Sequence, residues 1–519
     1  MPMPAISPRR HTIADLLRRT RRRYPERTAI RCGTVAWTYA QFDDVCSRLA
    51  AGLAGLGVAT GDRIAVVSRN SHAFAALRYA VARLGAVLVP VNFMLNAEEV
   101  RYILDHAGAS VLCVDTASAA VALQAAEGTA VRHRVWLPAE DASDAVPGLL
   151  PFDALLADAA ALVEPALEPD ALAQIIYTSG TESRPKGAML THAAVIAEYV
   201  SCLVDAEIAQ GDRVLHALPL YHCAQLDVFL GPCIYVGATN VITGKPTPDN
   251  LLALMARERI TSFFAPPTVW IGLLRAPQFD ATDLSALAKG YYGASIMPVE
   301  VLKEILRRLP GTRLWNLYGQ TEIAPVATVL PPEDQLRKAG SAGRATLNVE
   351  TRVVDDAMQD VAVGQVGEIV HRSPQLLSGY YRDPERTAAA FEGGWFHSGD
   401  LGVLDEEGYL TVVDRKKDMI KTGGENVASR EVEEVLYTIE GVSEVAVIGL
   451  PDPKWIEAVT AVVVRRPGSA LDEAGLIAAA SARLAHFKVP KRVHFVDALP
   501  KNPSGKLLKR ELRRFYEAG

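Results

Sequence analysis

The sequence predicts an α/β protein: a large N-terminal domain of helix-covered parallel sheets with a β-rich subdomain, then a small mobile α+β C-terminal domain. Three observations predict it. The chain has 519 residues, more than one hydrophobic core usually serves. Its first third alternates apolar strand-like runs with amphipathic helical runs, the pattern of parallel sheets covered on both faces. Near Val349 the texture changes to short strands punctuated by turns, and beyond Asp414 a separate alternation of about a hundred residues begins.

Taken in order, Thr38 and Gln41 have the spacing of a capping box, and Phe42, Val45, Leu49, Leu53 and Leu56 follow at helical spacing with Gly57 as a stop. Residues 63–68 read as a buried strand, 73–84 as a helix, 87–91 as a strand, 97–106 as a helix closed by Gly108, and 111–115 as a strand. The Ala-, Pro- and acid-rich stretch 138–169 reads as a peripheral connection. Strands resume at 174–177, 214–218, 238–242 and 262–265. The β-rich part is expected at 351–354, 367–371 and 409–413. After it come a helix (430–439), two strands (445–450 and 458–465), a helix (476–484), a strand (492–495) and a short basic helix. The domain boundaries expected are 1–413 and 414–519, with a hinge at 414–416.

Composition narrows the function. Hydrophobic residues are 49% and charged residues 22%, ordinary for a globular protein, which excludes disordered, collagen-like and coiled-coil chains. A net charge of −6 argues against nucleic acid as a partner. Cys32, Cys46, Cys113, Cys202, Cys223 and Cys233 show neither C-x-x-C spacing nor histidine clustering, so a reducing cytoplasmic setting is expected. The arginines between Arg9 and Arg23 are not followed by an apolar run of signal-peptide length. The uncharged stretch 228–244 carries Gly231, Pro232 and Gly237 and is shorter than a membrane span, so no integral membrane segment is expected. Only 14 of the 54 basic residues are lysines, and none precedes Lys186, so a lysine within a glycine-rich motif stands out. Residues 415–519 hold 18 basic and 14 acidic residues, a net +4, which leaves −10 for the remainder. A basic small domain facing an acidic large one suits closure over a polyanion.

The segment from Tyr177 to Gly187, Y-T-S-G-T-E-S-R-P-K-G, ends an expected strand in hydroxyls and small residues. Its N–H groups, hydroxyls and the Lys186 ammonium suit phosphate oxygens. It is not the P-loop of NTPases, since Gly-Lys-Ser/Thr is absent. Further along stand Asn316 to Glu322 (N-L-Y-G-Q-T-E), Gly394 to Asp400 (G-W-F-H-S-G-D), Asp414 to Lys421 (D-R-K-K-D-M-I-K), Gly423 to Val427 (G-G-E-N-V) and Pro500 to Lys506 (P-K-N-P-S-G-K). Taken alone, Asp400 would read as a turn residue and Thr321-Glu322 as a helix start.

Together, and in this order, the six motifs resemble those of the adenylate-forming (AMP-binding) superfamily, in its acyl-CoA synthetase branch, with most similarity to actinobacterial fatty-acyl-CoA ligases. The resemblance covers nearly the whole chain. It implies an ATP- and Mg²⁺-dependent acid:CoA ligase. Such an enzyme joins a carboxylic acid, medium- or long-chain or bulky and apolar, first to AMP and then to coenzyme A. On that resemblance Thr178, Ser179, Gly180, Thr181 and Lys186 would hold the β- and γ-phosphates. Thr321 would bond the α-phosphate, Glu322 would hold Mg²⁺, and Lys506 would bridge carboxylate and phosphate during adenylation. Asp400 would accept both ribose hydroxyls with Arg415 nearby. Gly293, Ala294 and Ser295 and the stretch Asn316 to Tyr318 would flank the adenine, with Gly319 also at the nucleotide. A swing about Asp414 would then exchange Lys506 for the Gly423-Gly424 segment, with Lys421 and Asn426 as polar helpers in the CoA step. His222 would stand at the carboxylate end of the acyl pocket, walled by Gln225, Val228, Phe229, Gly231, Phe264 and Gln320. Relatives are often homodimers. The chain departs from the family at Ser183, usually glycine, where a Cβ narrows the freedom of the phosphate loop, and Glu182 adds negative charge there. Two other readings follow from the same residues: a natural-product ligase performing mainly one half-reaction, and a non-catalytic carboxylate- or nucleotide-binding protein. Lys186, Glu322, Asp400 and Lys506 argue against the second.

Overall fold

The computed structural model describes residues 8–140, 145–178, 185–295, 297–416, 418–423, 425–501 and 507–517. Among them four β-sheets form. Two are the helix-covered, largely parallel sheets expected from the alternation. The first runs through Thr28–Cys32, Thr239–Ile242, Arg213–His216, Ser262–Phe264, Lys289–Gly293 and Arg313–Gly319, all parallel neighbours, with antiparallel strands at both edges. The second is built on Val87–Pro90, Arg63–Val67 and Ala109–Val114, and carries Leu172–Thr178 and its antiparallel partner Lys186–Thr191 toward one edge.

Local signals act as expected in the first third. Thr38 accepts from the Gln41 amide and Gln41 returns a bond to the Thr38 N–H, which starts the helix Tyr39–Gly55. Gly108, at φ +63°, closes the helix Ala97–Ala107 in the left-handed conformation. The fully apolar strand Ala109–Val114 is buried along its length, as a central strand covered on both faces must be.

The stretch 138–169 is not merely peripheral. Phe152 and Leu155 are buried in the core beneath the sheets, Glu140 accepts bonds from Thr243 and Gly244, and Glu164 pairs with Arg10 and Arg18. Its alanines, prolines and acids hide these anchors.

The third sheet is a four-stranded antiparallel one: Glu350–Val354, Gly367–Arg372, Phe396–Leu404 and Leu410–Arg415. Its last strand runs through Asp414 and Arg415, two residues beyond the expected end, because both pair with Leu401 and Asp400. The fourth sheet begins at Ile420–Thr422 and is dominated by the hairpin Val442–Asp452 and Ile456–Arg465. These strands outrun the apolar stretches that announce them, since pairing continues through Glu444, Pro451 and Asp452, with a register shift at Ser443. The helices Ser429–Tyr437 and Glu473–Ser481 bury Val432, Leu436, Leu476 and Ala480 against this sheet. Asp414 reaches across to it: its Oδ2 accepts from the backbone N–H and hydroxyl of Ser429, both at 2.7 Å. No helix among the described residues is long and apolar enough to cross a membrane.

Two buried polar systems tie helices and turns to the large sheets. Asp227, fully buried on a π-helical turn Leu226–Leu230, accepts from Arg78 (3.1 Å), Gln174 (2.7 Å) and Tyr199 (3.4 Å). These come from the helix His72–Leu84, the strand Leu172–Thr178 and the helix His192–Asp205. In the second system the Gln225 amide donates to His216 Nδ1 at 2.7 Å. The His216 Nε2–H donates to Asn240 at 2.8 Å, and Asn240 donates to the Ala29 carbonyl. With Nδ1 accepting, the ring must be neutral, and burial pushes the His216 pKa down to about 4, against a small raising effect from Asn240.

Both systems give measurable consequences. Asp227→Ala strands the buried Arg78 guanidinium and is expected to cost about 3–5 kcal/mol, read by urea denaturation. A loss below about 1 kcal/mol would mean water reaches the site. For His216 the folded pKa lies below the unfolded value, near 6.5, so acid favours the unfolded chain. Its contribution is undiminished above pH 6.5 and is lost as pH falls toward 4. His72 and His371, both pushed down to about 4 by burial, act in the same direction. The thermal midpoint should therefore fall between pH 7 and pH 5, above most carboxylate titration. A flat midpoint across that interval would contradict the neutral buried histidines.

Candidate active site

The two strand ends Thr178 and Lys186 are paired across the antiparallel ladder, so the segment between them leaves and re-enters the sheet at one point. Ser179, Gly180, Thr181, Glu182 and Ser183 lie outside the described residues. Lys186 Nζ donates to the Tyr380 hydroxyl at 2.6 Å and lies 3.3 Å from Glu322 Oε1. Tyr380 closes the triangle by donating to the same Glu322 oxygen at 3.0 Å, and its ring lies 4.2 Å beneath the ammonium. Burial, then the Glu322 charge, raises the Tyr380 phenol, so it stays a proton donor. Glu322 and Thr321 sit on a buried 3₁₀ turn Thr321–Ile323 immediately after the strand Arg313–Gly319. The backbone there is crowded: a Cβ on Gly319 would lie 1.8 Å from the Pro325 carbonyl oxygen, so only glycine lets the two chains approach.

Thr321 Oγ1 lies 3.3 Å from the Cys223 thiol, which burial keeps protonated by raising its pKa. His222 precedes it as an N-cap, its Nδ1 accepting from Ala224 N–H at 3.1 Å. The segment that the family resemblance places at the carboxylate end of an acyl pocket thus abuts the Thr321–Glu322 turn.

A second carboxylate lies on the neighbouring sheet. Asp400 is buried, accepts from the Tyr318 hydroxyl at 2.8 Å, and stands opposite Arg415 in the ladder, with Arg415 Nε 3.6 Å away. Tyr318 comes from the same strand that delivers Thr321, so Asp400 and Glu322 are referred to one backbone. Gly293 pairs with Leu317 on that strand, and a Cβ at Gly293 would meet the Leu317 carbonyl at 2.4 Å. Ala294 follows at φ +62° and turns the chain away with Ser295 at the surface. The Asn316 amide donates to the Ser341 carbonyl, so its Nδ2 is engaged within the protein.

Lys421 and Asn426 face each other across a short hairpin with Gly423 in its turn at φ +60°. Among the described residues no hydrogen bond or ion pair joins this hairpin to Lys186, Glu322 or Asp400; the Lys421 N–H is held by Glu457. Gly424 and Lys506 lie outside the described residues.

Of the expected pocket walls, Gln225 has its amide spent on His216 and Leu218. Gly231 is a glycine for a different reason: a Cβ there would fall 2.0 Å from the Tyr199 ring. Phe229 stacks on Phe264 at 4.8 Å within an apolar cluster that also holds Val228, Tyr291 and Trp315. Gln320 is half-buried at the start of the Thr321 turn. Tyr380 was not legible as a site residue, although Gly379-Tyr380-Tyr381-Arg382 places two aromatics beside a glycine and a cation. Cys223 reads in sequence as one more apolar cysteine.

The chain matches the AMP-binding enzyme family over residues 17–381 and the AMP-binding enzyme C-terminal domain over residues 431–506. It is 39% identical over 500 residues to a feruloyl-CoA synthase of Amycolatopsis sp, covering 96% of this chain and 98% of that one. It is 37% identical to a long-chain-fatty-acid–CoA ligase of Mycobacterium tuberculosis, covering 93% and 94%. Its structure superposes on the anthranilate CoA ligase AuaEII in complex with anthranoyl-AMP with a TM-score of 0.90, at 25% identity, over 99% of this chain and 98% of that one. Motifs, sheets and relatives agree along the whole length, and the chain belongs to the adenylate-forming, AMP-binding enzyme family, in its acid:CoA ligase branch.

Proposed function

We propose that this protein activates an apolar carboxylic acid, medium- or long-chain or bulky, with ATP and transfers the acyl group to coenzyme A in two half-reactions. The observation that carries the reading is the Lys186–Tyr380–Glu322 triangle. A cation and a carboxylate are held 3.3 Å apart at the mouth of a hydroxyl-rich segment, where a polyphosphate and its metal need them. Relatives that act on ferulate and on long-chain fatty acids support an apolar acyl group, as does the aromatic cluster around Phe229.

In the first half-reaction a carboxylate oxygen attacks the α-phosphorus of ATP and the α–β phosphoanhydride bond breaks, releasing pyrophosphate. Both reactants are anions, so neutralising charge is the main task. Lys186 takes the β- and γ-phosphates, together with Thr178, Ser179 and Thr181. Thr321 donates to the α-phosphate from its buried turn, and Cys223 keeps that hydroxyl oriented. Asp400 accepts the ribose hydroxyls, its own rotamer fixed by Tyr318. Glu322 fits Mg²⁺ as a single buried carboxylate, the way this ion is usually held beside substrate phosphates, and bound Mg²⁺ supplies further charge neutralisation. Lys506 bridges the carboxylate and phosphate oxygens.

In the second half-reaction the CoA thiol attacks the acyl carbonyl, AMP leaves, and the thiol proton passes to solvent. Residues 414–519 act as a lid domain hinged at 414–416, and rotation brings the hairpin of Lys421, Gly423, Gly424 and Asn426 to the reacting centre. The net positive charge of that part of the chain suits the polyanion it would cover.

A panel of aryl, fatty and polycyclic acids, scored by pyrophosphate release and by mass detection of acyl-CoA, tests the reading. At least one apolar acid should give both products. Acyl-AMP alone, or thioester only from supplied acyl-adenylate, would replace it with a single half-reaction, and neither product from any acid would remove it. Lys506→Ala should lower pyrophosphate exchange by about 10²- to 10³-fold and spare thioester formation from supplied acyl-adenylate. Equal damage to both steps would sink the role given to Lys506.

A further inference from the structure

Both ends of the hydroxyl-rich segment are held by one helix that no motif marks. On the helix Ala97–Ala107, Tyr102 and His106 stand four residues apart and so share a face. The Tyr102 hydroxyl donates to the carbonyl of Pro185, the residue before Lys186, at 3.1 Å. His106 Nδ1 is hydrogen-bonded to the Tyr177 hydroxyl, the residue before Thr178, at 2.7 Å. The two rings stack on each other at 5.4 Å, and His106 meets Tyr177 and Tyr381 edge-on at 5.7 and 5.8 Å. Tyr381 in turn donates its N–H to the Gly187 carbonyl at 2.8 Å and follows Tyr380, the partner of Lys186. Burial, and then Arg382, keep the His106 ring below its ordinary pKa, while burial raises the Tyr177 phenol, so a neutral pair meets here.

We propose that Tyr102 and His106 are positioning residues for nucleotide binding, pinning the entry and exit of the segment that runs from Tyr177 to Lys186. Neither touches ATP. They act by fixing where Thr178 and Lys186 leave the sheet, so that these two residues are in place before the nucleotide arrives. The inference rests on the ligase reading above.

The full-length chain is titrated with MgATP by calorimetry. Tyr102→Phe, which keeps the ring and its stacking, and His106→Leu are each expected to weaken binding about fivefold, as loss of one part-buried hydrogen bond can. His106→Asn, which keeps a polar atom near the Nδ1 position, should return to within about twofold of the wild type. In pyrophosphate exchange the same variants should raise the KM for ATP and leave kcat within about twofold. Variants that bind MgATP like the wild type would overturn the proposal, as would His106→Asn behaving like His106→Leu or kcat falling with KM unchanged. A wild-type chain that binds no MgATP would remove the ligase reading and this inference together. A binding wild type with unaltered variants removes the inference alone.

Discussion

The Asp227 carboxylate is the constraint on which the rest of the large domain depends. It is wholly buried, yet it takes bonds from three elements and sits itself on a fourth. A charge in such a place is tolerated only where its partners are fixed, so each donor's element is fixed by it in turn. Gln174 holds the strand that ends four residues later at Thr178. Tyr199 packs against Gly231, and the π-helical turn sets the position of the chain from His222 onward. The strand leading to Thr178 and the chain around His222, proposed above to face the phosphates and the acyl group, are thus both referred to one buried carboxylate. A π-turn at this point is consistent with such a duty, since an inserted residue rotates the side chains that follow.

Much of this was legible in the sequence, for identifiable reasons. Parallel strands buried on both faces leave continuous apolar runs, so Ala109–Val114 and Arg63–Val67 stand out. Capping residues act locally, so Thr38 with Gln41 and Gly108 mark helix ends without help from tertiary structure. Other features depend on contacts between residues far apart in the chain. Asp227 is one acid in an apolar run, and only its meeting with Arg78, 149 positions away, gives it meaning. Tyr380 meets Lys186 across 194 positions. The stretch 138–169 looks loose because its anchors are few and separated.

The scarcity of lysine singles out Lys186 in the sequence, but most other lysines serve local pairs. Lys488 pairs with Glu431, Lys501 with Glu444, and Lys509 with Glu433, all within the fourth-sheet region. Lys338 bridges Asp405 and Glu407. These pairs hold local structure, and the enrichment of lysine beyond Asp414 reflects them as much as any substrate. What separates Lys186 from them is its company: an aromatic face below it, a buried carboxylate beside it, and a phosphate-suited segment before it.

The bond between Asp414 and Ser429 bears on the swing proposed for the C-terminal part of the chain. The carboxylate ends the third sheet, whereas Ser429 begins the helix that covers the fourth, and Lys509 from the last helix donates to the same serine hydroxyl at 2.6 Å. Two strong, short-range bonds of this kind either form or do not; they cannot stretch through a large angle. The proposed turn of the backbone at 414–416 would have to release them together before new contacts replace them. Such an arrangement would act as a latch rather than a spring. In the proposed domain alternation it would favour two discrete orientations over a continuum.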